Sequence, residues 1–276
     1  MNPHELFSTS PLAMAKGFWK NRQLIRQMSW RAVIGRYRGS FMGLTWSFFH
    51  PIFMLMVYTF VFSFIFKARW GVGNEESKVG FAITLFVGMI VHGLFAECIN
   101  QSPNLILSNA NYVKKIVFPL EILPMVVIFS ALFQAVVSVL VLLVALIVTN
   151  GYLHWTVLFL PLVFLPLAVM VLGFTWFIAS LGVFARDIGQ VTGIFTTVLL
   201  FLSPVFYPVS ALPARYQPWL MLNPLTFIIE QARAVLLYGK LPDWTGLFVY
   251  SLISIFICLA GFWWFQKTRK GFADVV

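Results

Sequence analysis

Residues 120–149, LEILPMVVIFSALFQAVVSVLVLLVALIVT, form a run of 30 residues in which Glu121 is the single charge. A helix needs roughly 20 apolar residues to cross the hydrocarbon core of a bilayer, so this helix either tilts or projects beyond it. Five further apolar runs flank it. The sequence therefore predicts an all-α integral membrane protein whose transmembrane domain, residues 44–266, has six transmembrane helices, at about 44–66, 80–99, 120–149, 156–184, 189–207 and 246–265.

The composition supports this fold class. Hydrophobic residues make up 60% of the chain, the mean hydropathy is +0.88, and only 10% of residues are charged, against about 25% in soluble domains. The net charge is +10, but the basic residues flank apolar runs and form no basic domain, which argues against nucleic-acid binding. Cys98 and Cys258 lie in apolar segments and are typical of small core residues. Residues 1–43 lack the apolar core of a signal peptide, so the first span is expected to direct insertion.

The distribution of Lys and Arg predicts the orientation, because cytoplasmic flanks carry the excess of these residues. The N-terminal segment, the loops after the second and fourth runs and the tail 267–276 hold 13 of them, and the opposite side holds six. Both termini are therefore expected to be cytoplasmic, in a multi-pass protein of the cytoplasmic (inner) membrane. The sequence suits Gram-negative and Gram-positive membranes equally.

The N-terminal segment 1–43 is too polar to span a membrane. At 100° per residue, an α-helix here would have a basic face that includes Arg26. Its opposite face would be apolar and hold Met14, Phe18, Ile25, Met28 and Ala32. We expect an amphipathic helix along the membrane surface. It could anchor the chain to anionic lipid or contact a cytoplasmic partner, and Arg22 and Arg26 are the candidate contacts.

Residues 104–115 interrupt the apolar pattern with amides and paired lysines. Composition alone favours a solvated loop, but Pro103 can open a helix, and Leu105, Ile106, Ala110 and Val113 have nearly helical spacing. A short helix between two spans could transmit motion from a partner. The candidate coupling residues are Asn104, Ser108, Asn109, Asn111, Tyr112, Lys114 and Lys115.

Two further connections carry polar groups. Arg186 and Asp187 form a cytoplasmic hairpin, either a plain solvated turn or a pair that reaches across a subunit boundary. Segment 208–245 is apolar but broken by prolines, which favours re-entrant helices between the fifth and sixth spans, because irregular backbone at membrane depth must face protein or water. Glu230 and Arg233 are three apart and can pair on one helix face. The candidate residues of a periplasmic gate are Tyr207, Tyr216, Trp219, Glu230 and Arg233.

Several kinds of chemistry are not indicated. The sequence contains no G-x-x-x-x-G-K-[ST] phosphate loop, H-E-x-x-H, G-x-S-x-G or Cys/His cluster. We therefore expect no catalytic residue, metal site or cofactor in this chain. If ATP drives its activity, a separate ATPase must bind ATP and Mg²⁺.

An ordered set of motifs resembles a known family, the type 2 ABC exporter permeases of the polysaccharide and polyol-phosphate export branch, which includes O-antigen, capsule and teichoic acid exporters. Each motif is weak alone, but together they cover nearly the whole chain. They are RYRGSFMGLTWSFFHPIFMLMVYTFVFSFIF at 36–66, NANYVKKIVFPLEILP at 109–124, FARDIGQV at 184–191, SPVFYP at 203–208 and NPLTFIIEQARAVLLYG at 223–239.

The resemblance implies a homodimer with the pathway between subunits and two copies of an ABC ATPase beneath it. The N-terminal helix and segment 104–115 would contact the ATPase, and segment 208–245 would lie near the exit. The cargo would be a lipid-linked glycan. Arg36 and Arg38 would meet its phosphates, since arginine binds phosphate bidentately; alternatively, both only anchor the first span.

The sequence leads to the hypothesis of a permease subunit that exports a lipid-linked polysaccharide, foremost O-antigen. The alternatives are a type 2 exporter of a drug, lipid or haem, a membrane-embedded glycan-processing enzyme, and a passive channel. The absence of clustered acids or histidines in the spans argues against the enzyme.

Overall fold

The computed structural model describes residues 9–61, 78–113 and 118–275, and for Lys78 and Val79 only the backbone. Within these ranges the chain is helical and has no β-strand. Short 3₁₀ turns precede several of the helices. The α-helices are α1 Pro11–Lys20, α2 Arg22–Gly35, α3 Trp46–Tyr58, α4 Lys78–Gln101, α5 Ala110–Val113, α6 Leu123–Asn150, α7 Leu160–Phe184, α8 Ile188–Leu202, α9 Gln217–Met221, α10 Pro224–Leu236, α11 Trp244–Thr268 and α12 Phe272–Val275.

Five helical stretches of the described residues are long and apolar enough to cross a membrane. They are Gly43–Val61, Gly80–Gln101, Leu120–Asn150, Trp155–Phe184 and Trp244–Val275. The fifth predicted span, 189–207, contains only the 15-residue helix α8. This helix ends early because Ser203 precedes Pro204 and is extended (φ −92°, ψ 153°), as a residue before proline prefers. The last residues of the first predicted span, 62–66, lie outside the described residues.

Helix α4 forms the centre of the bundle, since 78% of the residues in its most apolar stretch are buried. Helices α7 and α11 cross most closely, through two glycines. A Cβ on Gly261 would lie 2.1 Å from the carbonyl oxygen of Gly173. Small residues let membrane helices approach backbone to backbone, so this crossing fixes the two helices together. Cys98 and Cys258 are buried free thiols, which confirms their predicted place in the core.

The bundle has two ends, which we name by their contacts. At the terminal end, Phe18 of α1 stacks on Trp176, and the indole nitrogen of Trp176 donates to the Glu121 carbonyl. The Glu121 side chain pairs with Arg269, near the C-terminus. Both ends of the described chain therefore lie there. The far end is closed by residues 203–243, where Thr156 Oγ1 donates to the Val235 carbonyl at 2.6 Å.

The N-terminal segment forms two helices instead of the single predicted helix. The break is at Asn21, whose backbone nitrogen and side-chain Nδ2 both donate to the Gly17 carbonyl, at 3.0 and 2.8 Å. An amide side chain that competes for helix carbonyls in this way favours a helix end. The predicted apolar side chains Met14, Phe18 and Met28 pack on the core, and α2 lies along α6.

The described part of the predicted tail, residues 267–275, is also helical and packed. Phe272 of α12 is fully buried and contacts the rings of Phe184 and Phe265. The end of the chain is thereby joined to the ends of α7 and α11.

Candidate functional site

The segment 102–113 at the terminal end combines a buried apolar side with an exposed polar side. Leu105 and Ile106 are buried, whereas three predicted coupling residues are exposed, namely Asn104, Ser108 and Asn111. Asn109 Nδ2 donates to the Leu105 carbonyl at 2.8 Å, so its amide stabilises the turn. Tyr112 stacks on Phe118, with ring centroids 4.3 Å apart. The exposed polar side can contact a partner while the buried side chains of Leu105 and Ile106 stay packed in the bundle.

The start of the segment is wedged against the α7–α8 hairpin. A Cβ on Gly182 would lie 2.1 Å from the carbonyl oxygen of Pro103, and a Cβ on Gly189 would lie 3.9 Å from its Cβ. Arg186 and Asp187 form the exposed turn of this hairpin; in the described part of the chain neither makes an ion pair. The structure thus brings together two predicted elements, the coupling segment and the hairpin.

The connection from this segment to α6 is clamped by the C-terminal end of α11. Arg269 pairs with the Glu121 carboxylate at 2.6 Å and donates to the Phe118 carbonyl at 2.9 Å. Both side chains are more than four-fifths buried. A buried charge of this kind is retained only when it is paired. The stretch 103–121 is therefore braced at both ends, against α7 and α11.

A second polar site lies beside α3, α4 and α6. Two cavities of about 500 and 260 Å³ share His50, Glu97 and Gln134 in their walls. Arg36 pairs with Glu97 in the larger cavity. Tyr37 Oη donates to Gln134 Oε1 at 3.1 Å, and because burial raises the pKa of Tyr37, the phenol remains a donor.

The smaller cavity is lined mainly by apolar side chains, including Met54 and Phe86. The pair of cavities therefore runs from a charged mouth to an apolar interior. Of the two predicted phosphate residues, Arg36 lies at this mouth, and Arg38 is exposed and does not line either cavity.

At the far end, Arg233 is fully buried and acts as a brace. Its guanidinium pairs with Glu230 at 2.8 Å and donates to the carbonyls of Thr84 at 3.3 Å and Val205 at 3.2 Å. The predicted Glu230–Arg233 pair is thus confirmed, and it joins α10 to α4 and to the segment after α8.

The other predicted gate residues do not join this brace. Tyr207 Oη donates to the Phe201 carbonyl at 3.0 Å, and Tyr216 and Trp219 are exposed. Arg22 and Arg26 lie apart from segment 102–113, in a groove between α2 and α6. Lys114 and Lys115 lie outside the described residues.

Sequence reasoning did not identify three groups that organise these sites. The sequence patterns assign no partner to Glu97 or Glu121 and no role to Gly182. The ion pairs of the two glutamates join residues 61 and 148 positions apart, so no local spacing indicates them. In the described ranges, no three His, Cys, Asp or Glu side chains are grouped to hold a metal ion.

A multi-pass helical bundle with an exposed polar segment packed against its helix ends can serve as a membrane transport subunit. Residues 23–237 match the ABC-2 type transporter family. The chain belongs to this family.

The curated relatives are similar over nearly their whole length. The chain is 25% identical to the O-antigen export system permease protein RfbA of Myxococcus xanthus over 267 residues, 96% of this chain and all of that protein. It is 23% identical to a protein of the same name from Klebsiella pneumoniae, covering 87% of this chain and 90% of that one. It is 22% identical to the polysialic acid transport protein KpsM of Escherichia coli, covering 88% and 94%.

Proposed function

We propose that this chain is the membrane subunit of an ATP-driven exporter that moves a lipid-linked polysaccharide, foremost O-antigen, across the cytoplasmic membrane. The cargo class is supported by the end-to-end similarity to relatives named for O-antigen and polysialic acid transport. The observation that carries the mechanism is the bracing of the stretch 103–121 at its two ends, by Gly182 at Pro103 and by Arg269 at Glu121.

In this proposal the exposed polar side of segment 102–113 contacts a separate ABC ATPase, two copies of which bind ATP and Mg²⁺. A displacement of the segment is passed to α7 through the Pro103–Gly182 contact and to α11 through Arg269 and Glu121. Because packed helices shift as rigid elements, both would move with the ATPase. The terminal end, with both termini, would face the cytoplasm, as the excess of Lys and Arg supports.

The charged mouth is the proposed site for the phosphates of the lipid carrier. Arg36 can make bidentate bonds to phosphate. In this structure its guanidinium is paired with the Glu97 carboxylate. An incoming phosphate would therefore compete with the Glu97 carboxylate. Arg38, exposed two residues further on, would add attraction from outside the cavity.

A homodimer is supported by the dimensions and the surface of α8. Its 15 residues span about 22 Å, less than the roughly 30 Å hydrocarbon core, and oligomerisation is one way to accommodate a short span. Its outward side chains are large, apolar and exposed, among them Ile194 and Phe201. We place the subunit contact, beside the pathway, on this face.

Cysteine cross-linking in membranes tests that placement. Ile194→Cys should form a disulfide-linked dimer, and Phe256→Cys, an equally exposed position on α11, is the matched control. Cross-linking of the control alone would place the subunit contact elsewhere.

Depletion of the protein in its native cell, followed by fractionation of lipid-linked glycans, tests the proposed cargo. We expect an extended lipid-linked glycan to accumulate on the cytoplasmic side and to disappear from the cell surface. Unchanged surface glycan without internal accumulation would refute polysaccharide export and leave the drug, lipid or haem exporter as the better hypothesis.

A further inference from the structure

A groove of about 1110 Å³ lies between the two N-terminal helices and α6. This volume slightly exceeds the usual range for ligand pockets, roughly 300–1,000 Å³. One wall is the apolar side of α6, with Met125, Phe129 and Phe133 four residues apart on one helix face. The other wall belongs to α1 and α2. The groove is separate from the charged mouth and from segment 102–113, so the proposed function does not use it.

The rim of the groove is basic and aromatic. Arg22 and Arg26, one helical turn apart, both line it, and none of its lining residues is acidic. The Arg22 guanidinium lies 5.0 Å from the ring centroid of Trp19 and donates to the Trp19 carbonyl at 2.8 Å. Since a guanidinium has five N–H donors, this bond leaves it able to bind an anion. Trp19 and Trp30 are exposed beside it, and tryptophan favours the membrane–water interface.

A buried hydroxyl between the two walls provides a second, independent indication of a ligand. Ser29 lines the groove and is only 9% exposed. Its Oγ has no hydrogen-bond partner among the described residues. Buried polar atoms are nearly always hydrogen-bonded, so this hydroxyl lacks a partner that a polar ligand group could supply. Less than 1 Å² of the oxygen is accessible, so a ligand reaches it only when the two walls move apart.

The order of these groups matches one class of molecule. Two guanidiniums at the rim fit a phosphate, the hydroxyl fits the glycerol or ester oxygens beneath it, and the apolar side of α6 fits the start of an acyl chain. We infer that this groove binds one anionic phospholipid between α2 and α6, with its phosphate on Arg22 and Arg26. The bound lipid would fill the space between the N-terminal helices and the bundle.

Lipid titration of the purified, delipidated full-length chain, followed by native mass spectrometry, tests the inference without the ATPase or the cargo. Phosphatidylglycerol is the probe, and phosphatidylcholine and undecaprenyl pyrophosphate are the comparisons. We expect one tightly retained phosphatidylglycerol per chain. The double variant Arg22→Gln/Arg26→Gln should weaken its binding about 30-fold, since each basic residue contributes roughly a fivefold factor near an anionic lipid.

The matched control is Lys16→Gln/Lys20→Gln, which removes the same charge from α1 at positions that do not line the groove. It should change the affinity by less than about threefold. Both arginines are exposed, so the packing of α2 should survive their replacement, which an unchanged melting temperature would verify. Ser29→Ala, which removes only the hydroxyl, should weaken binding by about three- to tenfold.

Equal losses in the two double variants would overturn the inference, because they would show general attraction to the basic surface. Equal retention of phosphatidylcholine would overturn it as well. Retention of undecaprenyl pyrophosphate alone would assign the groove to the lipid carrier of the cargo instead of a phospholipid.

Discussion

The contact between Gly182 and Pro103 gives the most direct prediction, because a single methyl group should disturb it. In Gly182→Ala the new Cβ would lie 2.1 Å from the Pro103 carbonyl oxygen and 2.7 Å from its carbonyl carbon and Cα. These are backbone atoms, so no side chain can swing away. Ordinary contact begins at 3.4 Å, and the segment must therefore withdraw by roughly 1.3 Å. Such overpacking costs about 1–3 kcal/mol.

That cost lowers the equilibrium constant for docking of segment 102–113 on the hairpin by about 5- to 150-fold. We expect the Gly182→Ala complex to assemble and to hydrolyse ATP but to export polysaccharide at least about fivefold more slowly. The assay is the amount of glycan at the cell surface, measured together with the ATPase activity of the purified complex.

Gly189→Ala is the matched control, since its Cβ would lie 3.9 Å from the same proline. It adds the same methyl group to the same hairpin and should leave export unchanged. Normal export in Gly182→Ala, at a normal level of folded protein, would refute the role of this contact. Equal loss of export in both variants would refute its specificity.

Three further predictions concern the ion pairs. Arg233→Met removes bonds to Glu230 and two carbonyls and should destabilise the protein by about 3 kcal/mol; its melting temperature should fall well below that of Arg215→Met. Arg269→Gln should lower export more than Lys270→Gln, because only Arg269 holds Glu121. Glu97→Gln should strengthen binding of a lipid pyrophosphate, measured by titration, and weaker binding would contradict competition at Arg36.

Much of the helical architecture could be predicted because lipid imposes a simple requirement on length and apolarity. The run predicted at 120–149 corresponds to Leu120–Asn150. The Glu230–Arg233 pair could also be predicted, because residues three apart on a helix are neighbours. Both predictions depend only on properties within one helix.

The contacts between helices could not be predicted in this way. Arg269 and Glu121 are 148 positions apart, and helical periodicity contains no information about which helices become neighbours. The role of Gly182 depends on how closely another backbone approaches it. Likewise, Asn21 divides the N-terminal helix because its amide competes for the Gly17 carbonyl, an alternative that the apolar pattern does not contain.

The most direct test of ATP-driven glycan export is transport by the purified chain and its ATPase in proteoliposomes. Lipid-linked glycan extracted from depleted cells would be placed in the outer leaflet, and its protection from an added glycosidase would be followed over time. We predict ATP-dependent protection in vesicles whose transporters have the ATPase outside. No protection, or equal protection without ATP, would contradict the proposal that this chain is the membrane subunit of an ATP-driven polysaccharide exporter.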